Sequence, residues 1–169
     1  PKSTARKWLN CFLNISVQMM RKMASAKIET SIIIPAKNEG ENIGKCLDAV
    51  LSQECSYTTE VIVIDSGSHD DTVALVEKNK GIRLLQIRPD EFGHGKTRNL
   101  GAEQARGDFL VFLNADAIPQ DRNWLSALIE EFGNDDRIAG VYSRHVPRSG
   151  CHLYMVRDLQ RSMPAARIE

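Results

Sequence analysis

The chain has 169 residues, enough for one domain and short for two ordinary ones. With 42% apolar and 26% charged residues it reads as a globular chain, not a disordered or fibrous one. The 22 Lys and Arg balance the 22 Asp and Glu, so there is no net field to draw nucleic acid, and no apolar run approaches the roughly 18 residues that span a bilayer.

Residues 1–28 differ in character from the rest of the chain. Lys2, Arg6, Lys7, Arg21, Lys22 and Lys27 precede the first acid, Glu29. Trp8, Leu9, Phe12, Leu13 and Ile15 recur near helical spacing, followed by Val17, Met19, Met20 and Met23, which predicts a basic amphipathic helix. Such an extension suits an anionic membrane surface, packing on the domain or on a second copy, or an upstream stretch ahead of a natural start at Met23. It has no continuous apolar core before a small-residue cleavage site, as a secretory signal would.

From Thr30 the pattern turns regular. Ser31–Pro35, Glu60–Asp65, Ile82–Arg88 and Asp108–Asn114 are short, nearly continuous apolar runs, the pattern of strands buried on both faces. Between and after them, Glu41–Gln53, Asp70–Lys80, Lys96–Arg106 and Asp121–Phe132 carry apolar residues at helical spacing, with Asp70 placed to cap its helix and Gly107 to end another. Ile138–Tyr142 reads as one more short strand, and Trp124 and Tyr142 as core residues. Alternating strands and helices imply βαβ units: an α/β, Rossmann-like fold with a mostly parallel sheet flanked by helices. The four cysteines, Cys11, Cys46, Cys55 and Cys151, have neither C-x-x-C nor zinc-ligand spacing and are expected as free thiols in a reducing cytoplasm.

In an open parallel sheet, ligands bind beyond the carboxyl ends of the strands. Those ends carry Pro35-Ala36-Lys37-Asn38-Glu39, Asp65-Ser66-Gly67-Ser68 and Asn114-Ala115-Asp116. Each run is polar and holds a carboxylate that can accept from a base or ribose, or hold a hard cation against a diphosphate. A competing motif is Gly95-Lys96-Thr97, which comes after a strand and opens a helix as a P-loop does. That motif needs glycine where Asp90 stands, and an acid there would repel phosphate. His94, between two glycines, is equally a turn residue or a contact to phosphate or sugar.

The three runs, in order, resemble the inverting glycosyltransferases of family 2, which have the GT-A fold. The likeness rests on SIIIPAKNEGENIGKCLDAVLSQ, EVIVIDSGSHDDT and GKTRNLGAEQARGDFLVFLNADAIP, and covers about Thr30 to Arg148. More narrowly, EFGHGKTRNLGAEQARGDFLVFLNADAIP and GVYSRHVPR resemble rhamnosyltransferase-like members, whose work lies in cell-surface polysaccharide biosynthesis. The resemblance implies that Pro35, Ala36 and Glu39 line the base and ribose pocket, with Asp65 and Ser66 beside them and Asp65 on the pyrimidine. It implies that Arg98 reaches base or phosphates, that Asn114 lies near the ribose, and that Asp116 holds Mg²⁺ or Mn²⁺. The family's Asp-x-Asp is here Asn114-Ala115-Asp116, which loses one carboxylate.

The implied activity is transfer of a sugar from a nucleoside-diphosphate sugar, with dTDP-rhamnose favoured, to an acceptor hydroxyl with inversion. The acceptor would be an unidentified glycan or lipid-linked molecule, met in the cytoplasm or at the inner face of the membrane. The alternatives are a nucleotide-sugar-binding module without transfer activity and a P-loop-like NTPase. Asp158 is the sole acid in the Cys151–Ala166 stretch and looks like part of an ordinary amphipathic helix, so the base is expected outside this chain. Residues 29–169 are thus expected to form a GT-A domain lacking its C-terminal acceptor part.

Overall fold

The computed structural model describes residues 17–21, 28–133, 137–148 and 150–163. The sheet is built from β1 (Val17–Arg21), β2 (Thr30–Ala36), β3 (Thr59–Asp65), β4 (Ile82–Gln86) and β5 (Phe109–Leu113). Its order is β1-β5-β2-β3-β4, with β5, β2, β3 and β4 parallel and β1 antiparallel to β5 at the edge. The helices are α1 (Ile43–Leu51), α2 (Thr72–Glu77), α3 (His94–Gln104), α4 (Trp124–Glu130) and α5 (Leu153–Ser162).

Alternation along the strands divides the core into two layers. Ile32, Ile34, Val61, Val63, Val111 and Leu113 face one side, where Ile43, Leu47 and Val50 of α1, Val76 of α2, and Leu125, Leu128 and Ile129 of α4 cover them. Ile33, Ile62, Ile64, Leu110 and Phe112 face the other side, against Leu100, Ala102 and Ala105 around α3. Helix α3 approaches closely because Gly101 has no side chain. A Cβ there would run into Ile33 and Ile64.

Four sequence expectations are corrected. The predicted N-terminal helix is a strand over Val17–Arg21, paired residue by residue with Phe109–Leu113; residues 1–16 and 22–27 lie outside the described residues. Pairing with a strand about ninety residues away overrides the local helical spacing. Ile138–Tyr142 adds no strand to the sheet, and Tyr142 is 60% exposed, so it is not a core residue; Trp124 is half-buried against the core as expected. Gly107 does not end α3, which stops at Gln104. It is glycine because a Cβ would lie 2.6 Å from the Ser31 nitrogen and the Thr30 carbonyl carbon.

Candidate nucleotide-sugar site

The position of the site is set by where two ladders stop. Strand β2 stays paired with β3 as far as Ala36 and Asp65, but its pairing with β5 ends at Ile33 and Phe112. The Ala36 carbonyl accepts from the Ser66 amide at 3.0 Å, so the backbone groups of Ala36 face β3. Those of Pro35, one residue earlier, therefore face β5. Proline has no N–H to donate there, and it ends the β2–β5 ladder. Beyond that point the two strands are no longer paired. The gap lies where the strand order reverses, the place in an open parallel sheet where ligands bind.

Two loops form one wall. The loop after β2 has Asn38 in the left-handed region, with φ 52°. This conformation, which asparagine tolerates, lets it bond the loop after β3 in both directions. Its amide donates to Ser68 Oγ at 2.8 Å, and its Oδ1 accepts from the His69 amide at 2.9 Å. The Glu39 amide donates to Thr72 Oγ1 at 2.8 Å, and the Gly40 amide to Asp70 Oδ2 at 2.9 Å. Hydrogen bonds from the Thr72 hydroxyl and the Gly40 amide hold the Asp70 carboxyl below its ordinary range.

The Asp65 carboxylate is only 2% exposed. It accepts from the Gly67 amide at 3.1 Å, from the Ser68 amide at 3.2 Å and from the Ser68 hydroxyl. Gly67 has φ +78°, and a Cβ there would lie 2.7 Å from Pro89 Cγ. The Asp65 carboxylate is therefore held by the turn that follows it. Ser66 lies beneath the surface at 0% exposure, and its hydroxyl finds no partner, as does that of buried Thr97.

The opposite wall continues from β5. Asn114 is half-buried and Asp116 exposed, with a turn closed by the Ala117 amide donating to the Asn114 carbonyl at 2.9 Å. From α3, Arg98 Nη2 donates to Asn114 Oδ1 at 2.7 Å and Nη1 to the His94 carbonyl at 3.1 Å. Burial lowers the Arg98 pKa from its ordinary value. Exposed His94 meets the Phe92 ring edge to face, with centroids 5.1 Å apart.

Beneath this turn lies Cys46, fully buried, its thiol 3.9 Å from the Asn114 carbonyl. Burial first, then the negative charges of Asp116 and Glu39, push the thiol up to about 12, with Arg148 opposing. Those charged groups therefore share one neighbourhood. Glu39 Oε2 accepts from Asn42 Nδ2 at 3.0 Å, and Arg148 reaches Asn42 Oδ1 at a long 3.4 Å. Sequence reasoning gave no role to Arg148, Asn38 or Asn42. The only signal for Arg148 was its place at the end of GVYSRHVPR.

The structure thus brings Pro35, Glu39, Arg98, Asn114 and Asp116 to one edge with surface to offer. It turns Ala36, Asp65 and Ser66 inward. Among the described residues, no group of three or more His, Cys, Asp or Glu side chains could hold a metal ion. A single exposed carboxylate, Asp116, still fits a cation that arrives with a diphosphate, since Mg²⁺ takes one or two carboxylates and completes its shell with phosphates and water. The P-loop alternative has no geometric support. Gly93 before α3 is extended, with φ −169°, and Asp90 pairs with Arg88 at 3.4 Å.

These features define an α/β domain of the GT-A type with a polar edge where its strand order reverses. The model of the family described as "Glycosyl transferase family 2" matches residues 31–167, and the chain belongs to that family. The O-antigen chain rhamnosyltransferase RfbN of Salmonella typhimurium is 39% identical over 121 residues, covering 71% of this chain and 38% of RfbN. The glycosyltransferase AglE of Haloferax volcanii is 39% identical over 108 residues, covering 61% of this chain and 35% of AglE. The chain thus spans well under half the length of either relative. Among solved structures, Staphylococcus aureus TarS 1–349 in complex with UDP superposes with a TM-score of 0.59 at 28% identity, covering 72% of this chain and 39% of that one. The Pyrobaculum calidifontis mannosyltransferase PcManGT, solved with GDP-Man and Mn²⁺, shares the fold at a TM-score of 0.54 and 24% identity, over 76% of this chain and 37% of its own. No described helix is long and apolar enough to cross a membrane.

Proposed function

We propose that this chain forms the donor-binding half of an inverting glycosyltransferase that takes a sugar from a nucleoside-diphosphate sugar to an acceptor hydroxyl. The observation that carries the reading is the gap between β2 and β5, flanked by Pro35 and Glu39 on one side and by Arg98, Asn114 and Asp116 on the other. A pyrimidine nucleotide is the favoured base. The likeness to RfbN supports dTDP-rhamnose as the donor and a cell-surface glycan or its lipid-linked precursor as the acceptor.

In this reading the wall from Pro35 to Glu39 seats base and ribose. Asp65 and Ser66 hold that wall in shape, Asp65 through its bonds to the Gly67 and Ser68 amides and Ser66 through its amide to Ala36. Asn114 is placed for ribose hydroxyls. Asp116 holds Mg²⁺ or Mn²⁺, which offsets charge growing on the leaving diphosphate. The base that takes the acceptor proton lies outside the described residues; Asp158 is exposed on α5, a helix with no buried residue. The free thiols Cys46, Cys55 and Cys151 support a cytoplasmic setting. Contact with the inner membrane face or with a second copy, through residues 1–28, belongs to the same reading.

Calorimetry with UDP, dTDP, GDP and ATP, each with and without Mn²⁺, tests it. Nucleoside-diphosphate binding that tightens with Mn²⁺ and loses that tightening in Asp116→Ala is expected. Preference for ATP that is lost in Lys96→Ala would overturn it. Donor binding with no transfer, even in a longer chain carrying the remainder of the enzyme, would make this a binding module.

A further inference from the structure

The contact between Arg98 and Asn114 sits where this chain departs from the two-carboxylate turn. Resting on the donor-site reading above, we propose that Asn114 keeps the Arg98 guanidinium available to the donor's diphosphate, so that nucleoside diphosphate binds in substantial part without a divalent cation.

Three observations support this. First, both protein acceptors of Arg98 are neutral: Asn114 Oδ1 at 2.7 Å and the His94 carbonyl at 3.1 Å. Second, among the described residues no carboxylate forms an ion pair with Arg98, although the guanidinium is half-buried. A partly desolvated cation lacking a counter-charge is unfavourable and favours an anion that supplies one. Third, the two acceptors fix the orientation of the planar fork while leaving other N–H groups unused. A fixed fork of this kind suits bidentate contact with phosphate oxygens.

Position 114 sets how available that charge is. An aspartate at 114 would place a carboxylate at 2.7 Å from the guanidinium and convert a neutral contact into an ion pair. The diphosphate would then have to displace a bound anion, and a cation held by residues 114 and 116 would have to supply the lost positive charge. With asparagine, one carboxylate is lost from the metal turn and one free guanidinium is gained for the same ligand.

The test is calorimetry of the whole chain with dTDP and UDP, in excess EDTA and in saturating Mn²⁺. Wild type is expected to bind in EDTA. Asn114→Asp and Arg98→Ala should each weaken that binding about tenfold or more, about 1.4 kcal/mol. Mn²⁺ should restore Asn114→Asp but not Arg98→Ala. Asn114→Ser, which shortens the acceptor without adding charge, should lose clearly less in EDTA than Asn114→Asp does. A circular-dichroism spectrum and a urea midpoint matching wild type in each variant establish that the fold survives. Unchanged EDTA binding in Asn114→Asp or in Arg98→Ala overturns the proposal, as does a loss in Asn114→Ser equal to that in Asn114→Asp. Wild type binding only with Mn²⁺ overturns the proposal and leaves the donor-site reading standing. Wild type binding neither nucleotide under either condition overturns both.

Discussion

Asp70 Oδ2 accepts the Gly40 amide at 2.9 Å, a bond between loops that leave two neighbouring strands. The same carboxylate takes the Thr72 amide at 3.0 Å on its other oxygen, and Thr72 Oγ1 accepts the Glu39 amide at 2.8 Å. Asp70 therefore positions the wall that carries Asn38 and Glu39 without itself being a donor contact. Asp70→Ala is expected to lower donor affinity by roughly tenfold through lost preorganisation. Asp70→Asn keeps one acceptor oxygen and should recover part of that loss. Titration of both variants with a nucleoside diphosphate checks this; an Asp70→Ala affinity equal to wild type would remove the positioning role.

Two glycines separate the cost of meeting side chains from that of meeting backbone. A Cβ at Gly101 meets the side chains of Ile33 and Ile64, which can shift. Gly101→Ala should cost about 1–3 kcal/mol, the usual range for overpacking. At Gly107 a Cβ meets the Ser31 nitrogen and the Thr30 carbonyl carbon at 2.6 Å, and backbone inside a paired strand has no room to move. Gly107→Ala is therefore expected to be the more destabilising of the two. Urea midpoints of both variants settle the order.

The buried thiol gives a chemical readout of the same architecture. Only the thiolate reacts with alkylating agents. Cys46 is fully buried with its pKa pushed up to about 12, whereas Cys55 and Cys151 are half-buried. In the folded chain near neutral pH, Cys46 should be alkylated far more slowly than Cys55 and Cys151, and should react at a comparable rate only in denaturant. Proton counts give the sign for stability. Above the ordinary thiol range the unfolded chain releases this proton while the folded chain keeps it, so stability falls as pH rises towards about 12. Peptide mapping after timed alkylation, with alkaline melting of wild type and Cys46→Ala, checks both points.

Much of the fold was legible because the strands are short apolar runs closed by polar turns. Ile32–Ile34 and Val61–Ile64 are buried throughout, as continuous apolar strands require. Val17–Arg21 was not legible, because its state is fixed by pairing with β5 and not by its own spacing. At the site, the sequence names the loop residues but not the hydrogen bonds among them. The sequence makes Asp65 a candidate ligand contact; the structure commits its carboxylate to the Gly67 and Ser68 amides. The contact of Arg98 with Asn114 joins a helix to the end of the next strand, and no local pattern encodes such a geometry.

A buried carboxylate ties together the far end of the sheet. Glu60 is 7% exposed and accepts from the Ser31 hydroxyl at 2.7 Å, the Arg106 amide at 2.7 Å and Arg83 Nη1 at 2.9 Å. Burial raises its carboxyl, but the bonds from Ser31, Arg106 and Arg83, together with the charge of Arg83, outweigh it and hold the group below its ordinary range. The network joins β2, β3 and β4 to the chain leaving α3, so it fixes the sheet from which the site loops extend. Glu60→Ala would strand the Arg106 amide and leave Arg83 without its carboxylate, only the Gln104 carbonyl still accepting from it, at a cost on the order of 3 kcal/mol. Glu60→Gln keeps the shape and loses the charge, so it should cost less. Because the folded pKa is depressed, the stabilisation is complete above the unfolded carboxylate value and is lost as pH falls through the lower, folded one. The stability gap between wild type and Glu60→Gln should therefore be constant near neutral pH and narrow below about pH 4. Denaturant unfolding of both proteins across the acid range measures the gap. A gap that stays the same down to the acid limit would mean that the carboxylate's charge contributes nothing to the network.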